Sequence, residues 1–194
     1  MSSIPYVIEK GEKGEERVYD LYSRLLKDRI VFISGGFDTQ KADAIVAQLL
    51  FLESDDRDKD IYMYINSPGG EIAAMYAVYD TMNYIAPDIV TVGLGTVSSA
   101  GSFILAAGTK GKRHVLPNTE IMIHELSSGY RGKAGDLRNH YRHVEILYEK
   151  MARHYAKLTG KDLEIIKVDM ERDFFMTAEE AVQYGLVDSV QESR

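Results

Sequence analysis

The chain of 194 residues has no cysteine, no tryptophan and only four prolines. Without cysteine it can form neither a disulfide nor a Cys-based zinc site, and it cannot use a thiolate nucleophile. No apolar run approaches the length that a membrane-spanning helix needs. The N-terminus has neither a basic start nor an apolar core, so we expect no signal peptide. These absences predict a soluble, cytoplasmic protein without a membrane partner.

The charge pattern gives little support for binding of nucleic acid or metal. The net charge is −7, whereas phosphate contacts need clustered Lys and Arg. We interpret the cluster of Lys110, Lys112 and Arg113 as a solvated loop. His140 and His143 are three residues apart, but no third ligand is evident, so we expect no metal. The sequence thus predicts no nucleic-acid partner and no cofactor.

The organisation of the chain predicts one α/β domain over residues 1–194, with 45% hydrophobic residues for its core. Residues 1–16 are polar and predict a flexible N-terminal arm. Strands alternate with helices through residue 124, which predicts right-handed βαβ crossovers and a largely parallel sheet. The segment DIYMYIN, at 60–66, is apolar on both faces and predicts a strand covered on both sides.

A single long helix is predicted from Lys133 to Leu158. Its apolar stripe has alternating steps of three and four residues, as in a packing seam, and consists of Leu137, Tyr141, Val144, Tyr148, Met151, Tyr155 and Leu158. The stripe could pack inside the chain, or the helix could project and pair with another subunit. A capping box at 177–180 predicts a short helix that ends at Gly185, before a last strand at 186–187.

Ser99 is the first candidate for chemistry. It follows a buried strand and opens a predicted helix of small residues at 98–107. The free N–H groups at a helix N-terminus stabilise developing negative charge. Val97 stands where a G-x-S-x-G elbow would have its first glycine, so this is not an α/β-hydrolase motif. Alternatively, Ser98 or Ser99 simply caps the helix.

Two further elements could complete a catalytic site. His124 ends an apolar strand, at the edge where α/β sites form, and is a natural general base. The turn INSPGG, at 65–70, could offer a backbone N–H to an oxyanion. A third group must orient the imidazole, and spacing alone leaves Asp169, Glu171 and Asp173 open.

Five segments together resemble one family, the proteolytic subunit of Clp protease (ClpP). They are DIYMYINSPGG, YDTMNYI, TVGLGTVSSAGS, KGKRHVLPNTEIMIH and ERDFFMTAEEAVQYGLVDSV. The likeness runs from residue 23 to the C-terminus. It implies a crotonase-like α/β spiral of βαβ units with a protruding handle at about 125–158.

The resemblance also implies residue roles for an ATP-dependent serine endopeptidase. Ser99 would be the nucleophile, His124 the general base and Asp173 the orienting acid. The remaining roles would be an oxyanion hole of Gly70 and Ala100, a substrate-pairing strand of Glu125, Leu126 and Ser127, and an ATPase-docking groove with Tyr62, Tyr64 and Tyr84. Buried core aromatics are the other interpretation of these three tyrosines.

The family resemblance implies an assembly and partners. Unfolded proteins would be degraded to short peptides inside a tetradecamer of two stacked heptameric rings, homomeric or mixed with a paralogue. A hexameric AAA+ unfoldase such as ClpX, ClpC or ClpA would feed them. The long helix would form the ring-to-ring contact, and residues near 5–16 would form axial pore loops.

Several positions depart from the family pattern without removing a catalytic group. Glu125-Leu126 replaces the usual Gln-Pro, Val97-Ser98 replaces Ala-Ala, and Ala100 replaces Met. The departures suggest a divergent paralogue with its own peptide preference, or one that works best in a mixed assembly. Two other classes stay open: a catalytically weak or structural subunit of a mixed ClpP ring, and an acyl-CoA hydratase of the same fold superfamily.

Overall fold

The computed structural model describes residues 4–10 and 14–193. Strands and helices follow one another as β1 (Tyr6–Lys10), β2 (Glu16–Asp20), α1 (Leu21–Lys27), β3 (Ile30–Ser34), α2 (Thr39–Asp55), β4 (Ile61–Ser67), α3 (Ile72–Tyr84), β5 (Ile89–Ser98), α4 (Ala100–Ala106), β6 (Arg113–Val115), β7 (Glu120–Ile123), α5 (Ala134–Thr159), α6 (Leu163–Met170), β8 (Phe174–Met176), α7 (Ala178–Tyr184) and β9 (Ser189–Val190). The predicted alternation of strands and helices is confirmed. The last strand begins later than the predicted 186–187, whose residues are buried outside it.

The main sheet runs in the order β3-β4-β5-β6-β9, and these neighbours are parallel, as predicted. The long strand β5 changes partner along its length: Thr91 pairs with Arg113 of β6, whereas Ser98 pairs with Met122 of β7. Strand β8 then pairs antiparallel with β7. The ends of β5, β7 and β8 therefore lie side by side, and they position the candidate site.

Strand β4 has one buried face and one open face in the isolated chain. Ile61, Met63 and Ile65 are fully buried, whereas Tyr62 is 40% exposed. Tyr64 is half-buried and stacks on Phe32, with ring centroids 5.4 Å apart. The prediction of a strand covered on both sides is wrong for Tyr62, because only part of this face is covered: Leu25 of α1 lines the same cavity as Tyr64, whereas Tyr62 lies outside it.

The bounds of the long helix α5 differ from the predicted ones by one residue at each end, with Lys133 as its N-cap and Gly160 closing it in the left-handed conformation. Its two halves lie in different surroundings. Met151 and Tyr155 are buried in the core, whereas Leu137 and Tyr141 are 42% and 66% exposed. The expectation that the whole stripe lies between subunits is therefore wrong for the C-terminal half. Only the N-terminal half projects an apolar surface.

The predicted flexible arm is wrong for its described part. Residues Tyr6–Lys10 pair antiparallel with Glu16–Asp20 in a two-stranded sheet. Glu9 bridges to Arg24 and Lys27 of α1, which ties this sheet to the body of the chain. Salt bridges and the hydrogen bonds between the two strands thus order a segment that was predicted to be flexible from its polarity alone. Residues 1–3 and 11–13 lie outside the described residues, and the pore-loop role of residues near 5–16 stays a prediction.

The basic cluster at 110–113 is not a solvated loop. Arg113 is 3% exposed and holds the carboxylate of Asp188 through two nitrogens, at 3.0 and 2.7 Å. Lys112 lies 2.6 Å from Asp60 and 2.8 Å from Asp88. Paired, charge-assisted hydrogen bonds let these cations sit at the edge of the core. Lys110 alone of the three is exposed.

Candidate active site

Ser99 occupies a sharp turn between β5 and α4. Its φ of 55° and ψ of −121° place a non-glycine residue in a sparsely populated conformation, which costs on the order of 1–3 kcal/mol. It is the N-cap of α4, yet its side chain makes no capping hydrogen bond. The interpretation of Ser99 as a mere helix cap therefore has no support in the geometry. Ser98, in contrast, lies inside β5 and is buried.

The turn after β4 packs directly against the Ser99 turn. A Cβ on Gly69 would lie 2.6 Å from the Ser99 Cβ, and one on Gly101 would lie 2.7 Å from the Ser67 carbonyl oxygen. Glycine at these positions is what lets the two backbones approach. Within the described residues, the N–H groups of Gly70 and Ala100 have no protein acceptor. The two predicted oxyanion donors thus belong to adjoining turns and are free to donate.

His124 and Asp173 meet because of the register between β7 and β8. Ile123 pairs with Phe174, so the residues just beyond this pair face each other. His124 Nδ1 lies 3.1 Å from Asp173 Oδ1. Of the other candidates, Asp169 accepts a hydrogen bond of 2.7 Å from the Tyr184 hydroxyl, and Glu171 lies at the C-cap of α6. The geometry therefore pairs the imidazole with Asp173.

A groove of about 440 Å³ joins these elements. It is lined by Gly70, Glu71, Ile72, Ser99, His124, Glu125, Leu126, Ser127, Ser128, His140, His143, Val144 and Leu147. The structure thus brings Ser99, His124 and the predicted substrate segment to one place. Between the side chains of Ser99 and His124, both described, no hydrogen bond is formed. Such contacts are often loose before substrate binds.

Two histidines of α5 line the groove, which the sequence did not indicate. His140 Nε2 lies 2.7 Å from the Ser128 hydroxyl, and its ring stacks on Tyr130 at 4.7 Å. His143 also faces the groove. Among residues 4–10 and 14–193, no group of acidic, His or Cys side chains could hold a metal ion. The sequence could not indicate that these histidines line the groove, because their position depends on how loop 125–133 folds onto α5.

The segment Glu125, Leu126 and Ser127 pairs as a strand with none of the residues that the structure describes. The Glu125 N–H donates to the Met170 carbonyl at 2.7 Å, which fixes the start of the segment beside α6. Leu126 and Ser127 continue along the groove. Pairing with a substrate backbone stays a prediction.

The three predicted docking tyrosines do not share one cavity. Tyr64 lines a separate cavity of about 380 Å³ with Phe32 and Leu116, whereas Tyr62 and Tyr84 lie outside its lining. Tyr84 is 82% exposed. The interpretation of Tyr62 and Tyr84 as buried core aromatics is wrong, and the docking role stays a prediction.

The fold and groove together define an α/β protein in which Ser99 and His124 line one groove and Asp173 contacts the His124 imidazole. The family model described as Clp protease matches residues 12–194. The chain belongs to the Clp protease family, which implies a peptidase. The mixed α/β fold with its parallel sheet is the fold that the family resemblance predicted, and that prediction is confirmed. Within the described residues, no helix is both long and apolar enough to cross a bilayer.

Proposed function

We propose that the chain is a serine-type endopeptidase that degrades unfolded polypeptides to short peptides. The observation that carries this proposal is the contact of 3.1 Å between His124 Nδ1 and Asp173 Oδ1 beside the strained Ser99 turn. A carboxylate at Nδ1 favours the tautomer that carries its proton there. The Nε2 lone pair is then available to accept the proton of Ser99.

The proposed reaction is acyl transfer in two halves. Ser99 Oγ attacks the peptide carbonyl carbon while His124 Nε2 takes the hydroxyl proton, and Asp173 stabilises the imidazolium. The N–H groups of Gly70 and Ala100 would receive the oxyanion of the tetrahedral intermediate. His124 then returns the proton to the leaving amine as the C–N bond breaks. Water, activated by the same imidazole, hydrolyses the acyl-enzyme and restores Ser99.

A second candidate is a catalytically weak or structural subunit of a mixed ring. The absent hydrogen bond between Ser99 and His124 favours it. Hydrolysis of an internally quenched peptide, blocked at both ends, separates the two functions. The purified chain should cleave the peptide between internal residues. A fully assembled chain that leaves the peptide intact would support the structural subunit instead.

The exposed half of α5 supports the ring-to-ring contact that the family resemblance implies. Leu137 and Tyr141 present apolar surface at the projecting end of the helix. We propose that this half of the handle pairs with a second copy across two stacked rings. The single domain would thereby enclose its grooves in a chamber fed by an AAA+ unfoldase. The exposed aromatics Tyr62 and Tyr84 and the cavity beside Tyr64 would contribute to the docking surface.

Tyr141→Asp should disrupt the contact between rings. If position 141 is buried in the contact between rings, a carboxylate there without a partner costs several kcal/mol. If position 141 stays exposed to solvent, the change has little effect. Analytical ultracentrifugation should show particles of half the wild-type mass. Asn139→Asp is the matched control, since it adds the same charge on the opposite face of the exposed end of α5. A Tyr141→Asp protein that keeps the full mass would show that the helix pairs elsewhere.

A further inference from the structure

A buried pair of hydroxyl groups lies behind the Ser99 turn. Ser102 of α4 and Tyr155 of α5 are 0% and 1% exposed, and their hydroxyl oxygens are 3.0 Å apart. The Ser102 oxygen also lies 2.8 Å from the Ser99 carbonyl and 2.7 Å from the Met122 carbonyl. The Tyr155 hydroxyl lies 3.3 Å from the Ser99 carbonyl. The pair therefore contacts the backbone of the Ser99 turn and the backbone of β7.

The count of protons explains why two hydroxyl groups are present. Ser102 has one proton to donate, but two carbonyl oxygens lie within hydrogen-bond distance of it. Tyr155 supplies the second proton, so Ser99 and Met122 can each receive one. Burial raises the pKa of the Tyr155 phenol, which keeps that proton in place.

These two carbonyls belong to the segments that carry the nucleophile and the base. The Ser99 N–H donates to the Met122 carbonyl at 3.0 Å, and Met122 lies two residues before His124. The Ser99 carbonyl also accepts from the Phe103 N–H at 3.0 Å. The bonds from the pair to these carbonyls thus restrain the turn whose φ and ψ are strained and its distance from β7, the strand that ends just before His124.

We propose that Tyr155 is a positioning residue for Ser99, acting with Ser102 to hold the nucleophile's strained turn against the strand of the base. Because Tyr155 lies on α5, it also joins the projecting handle helix to the nucleophile. The inference rests on the proposed function, since it takes Ser99 as the group that attacks the substrate. Tyr155 acts through the Ser99 backbone and does not line the groove.

Tyr155→Phe is the direct test, because it removes the hydroxyl and keeps the ring that packs on Phe103 at 5.2 Å. A loosened turn misplaces Ser99 relative to the base, so kcat should fall about tenfold while KM stays within about twofold of wild type. The matched control is Tyr76→Phe. Tyr76 packs on the same Phe103 ring, at 5.7 Å, and its buried hydroxyl has no partner in the described part of the chain. This control should keep wild-type kcat and KM.

The double variant Ser102→Ala with Tyr155→Phe adds a test of shared action. Both hydroxyl groups contact the Ser99 carbonyl, and they contact each other, so the double variant should lose less than the product of the two single losses. Losses that multiply would overturn the inference. So would an unchanged kcat in Tyr155→Phe, a loss confined to KM, or an equal loss in Tyr76→Phe. If Tyr155→Phe does not fold, Ser102→Ala alone must show the fall in kcat, and an unchanged kcat there overturns the inference.

Hydrogen exchange separates this inference from the proposed function. In Tyr155→Phe the amides of Ser99 and Phe103, which donate to the two carbonyls, should exchange faster than in wild type and Tyr76→Phe. A wild-type chain that hydrolyses no peptide would contradict the proposed function, yet faster exchange would still support the positioning role. Unchanged exchange at both amides would overturn the positioning role whatever the activity.

Discussion

Ser99→Ala should abolish peptide hydrolysis and leave the fold and assembly intact. The hydroxyl makes no capping hydrogen bond, so its loss removes little that stabilises the chain. It is also the group whose removal ends covalent catalysis, and comparable changes in serine hydrolases cost on the order of 10⁶ in kcat. Initial rates on a quenched peptide, measured beside the particle mass, check both parts of the expectation.

Ser98→Ala is the matched control for this variant. Ser98 is the neighbouring serine, but it lies buried within β5 and outside the groove. We expect it to keep most of the wild-type rate. An active Ser99→Ala protein with an inactive Ser98→Ala protein would place the nucleophile one residue earlier than proposed.

Asp173→Asn should cut turnover by about 10⁴, as the same change does in other triads. An amide at this position can donate to His124 Nδ1, and it then favours the tautomer whose Nε2 carries a proton and cannot accept one from Ser99. It also removes the charge that stabilises the imidazolium. Asp173 is 58% exposed, so the fold should tolerate the change. The loss should appear in kcat of an assembled particle.

Asp169→Asn serves as its control, since an amide oxygen can still accept the hydrogen bond of the Tyr184 hydroxyl. Its effect on the rate should be small. An Asp173→Asn particle of full mass and near wild-type rate would mean that Ser99 and His124 act as a dyad.

The choice of Asp173 among three carboxylates could not be made from local sequence patterns. Strand β8 has three residues, too few for an alternating pattern to reveal it. Its antiparallel register with β7 is what brings position 173, and neither 169 nor 171, to His124. The residues alone therefore left three carboxylates open. The family resemblance selected Asp173, which contacts His124 in the structure, and its role as the orienting acid stays a prediction.

The placement of Ser99 was more accessible from the sequence. An apolar strand followed by small residues predicts a strand and then a helix over 98–107; in the structure β5 extends to Ser98 and α4 begins at Ala100, so Ser99 lies between them. The positive φ of Ser99 could not be predicted from the sequence, because glycine is the residue type that normally indicates a positive φ. The contribution of Tyr155 was hidden for another reason. Its contact with Ser102 spans 53 residues and depends on how α5 crosses α4.

Long-range pairing also explains the wrong interpretation of the basic cluster. Arg113 lies in a run of charged and glycine residues that is typical of a loop. Its partner, Asp188, is 75 residues away, so nothing local indicated burial.

The tyrosines of β4 predict strand structure correctly, but the sequence alone cannot show whether a helix covers their face of the sheet. Contacts between distant segments decide such questions.

Labelling with a fluorophosphonate tests the proposed nucleophile most directly. The wild-type particle should gain one adduct per chain, and peptide mapping should place it on Ser99. The His124→Ala variant should react far more slowly, because the base no longer takes the Ser99 proton. An adduct on Ser98 or on another serine, or no adduct on a fully assembled particle, would contradict the account.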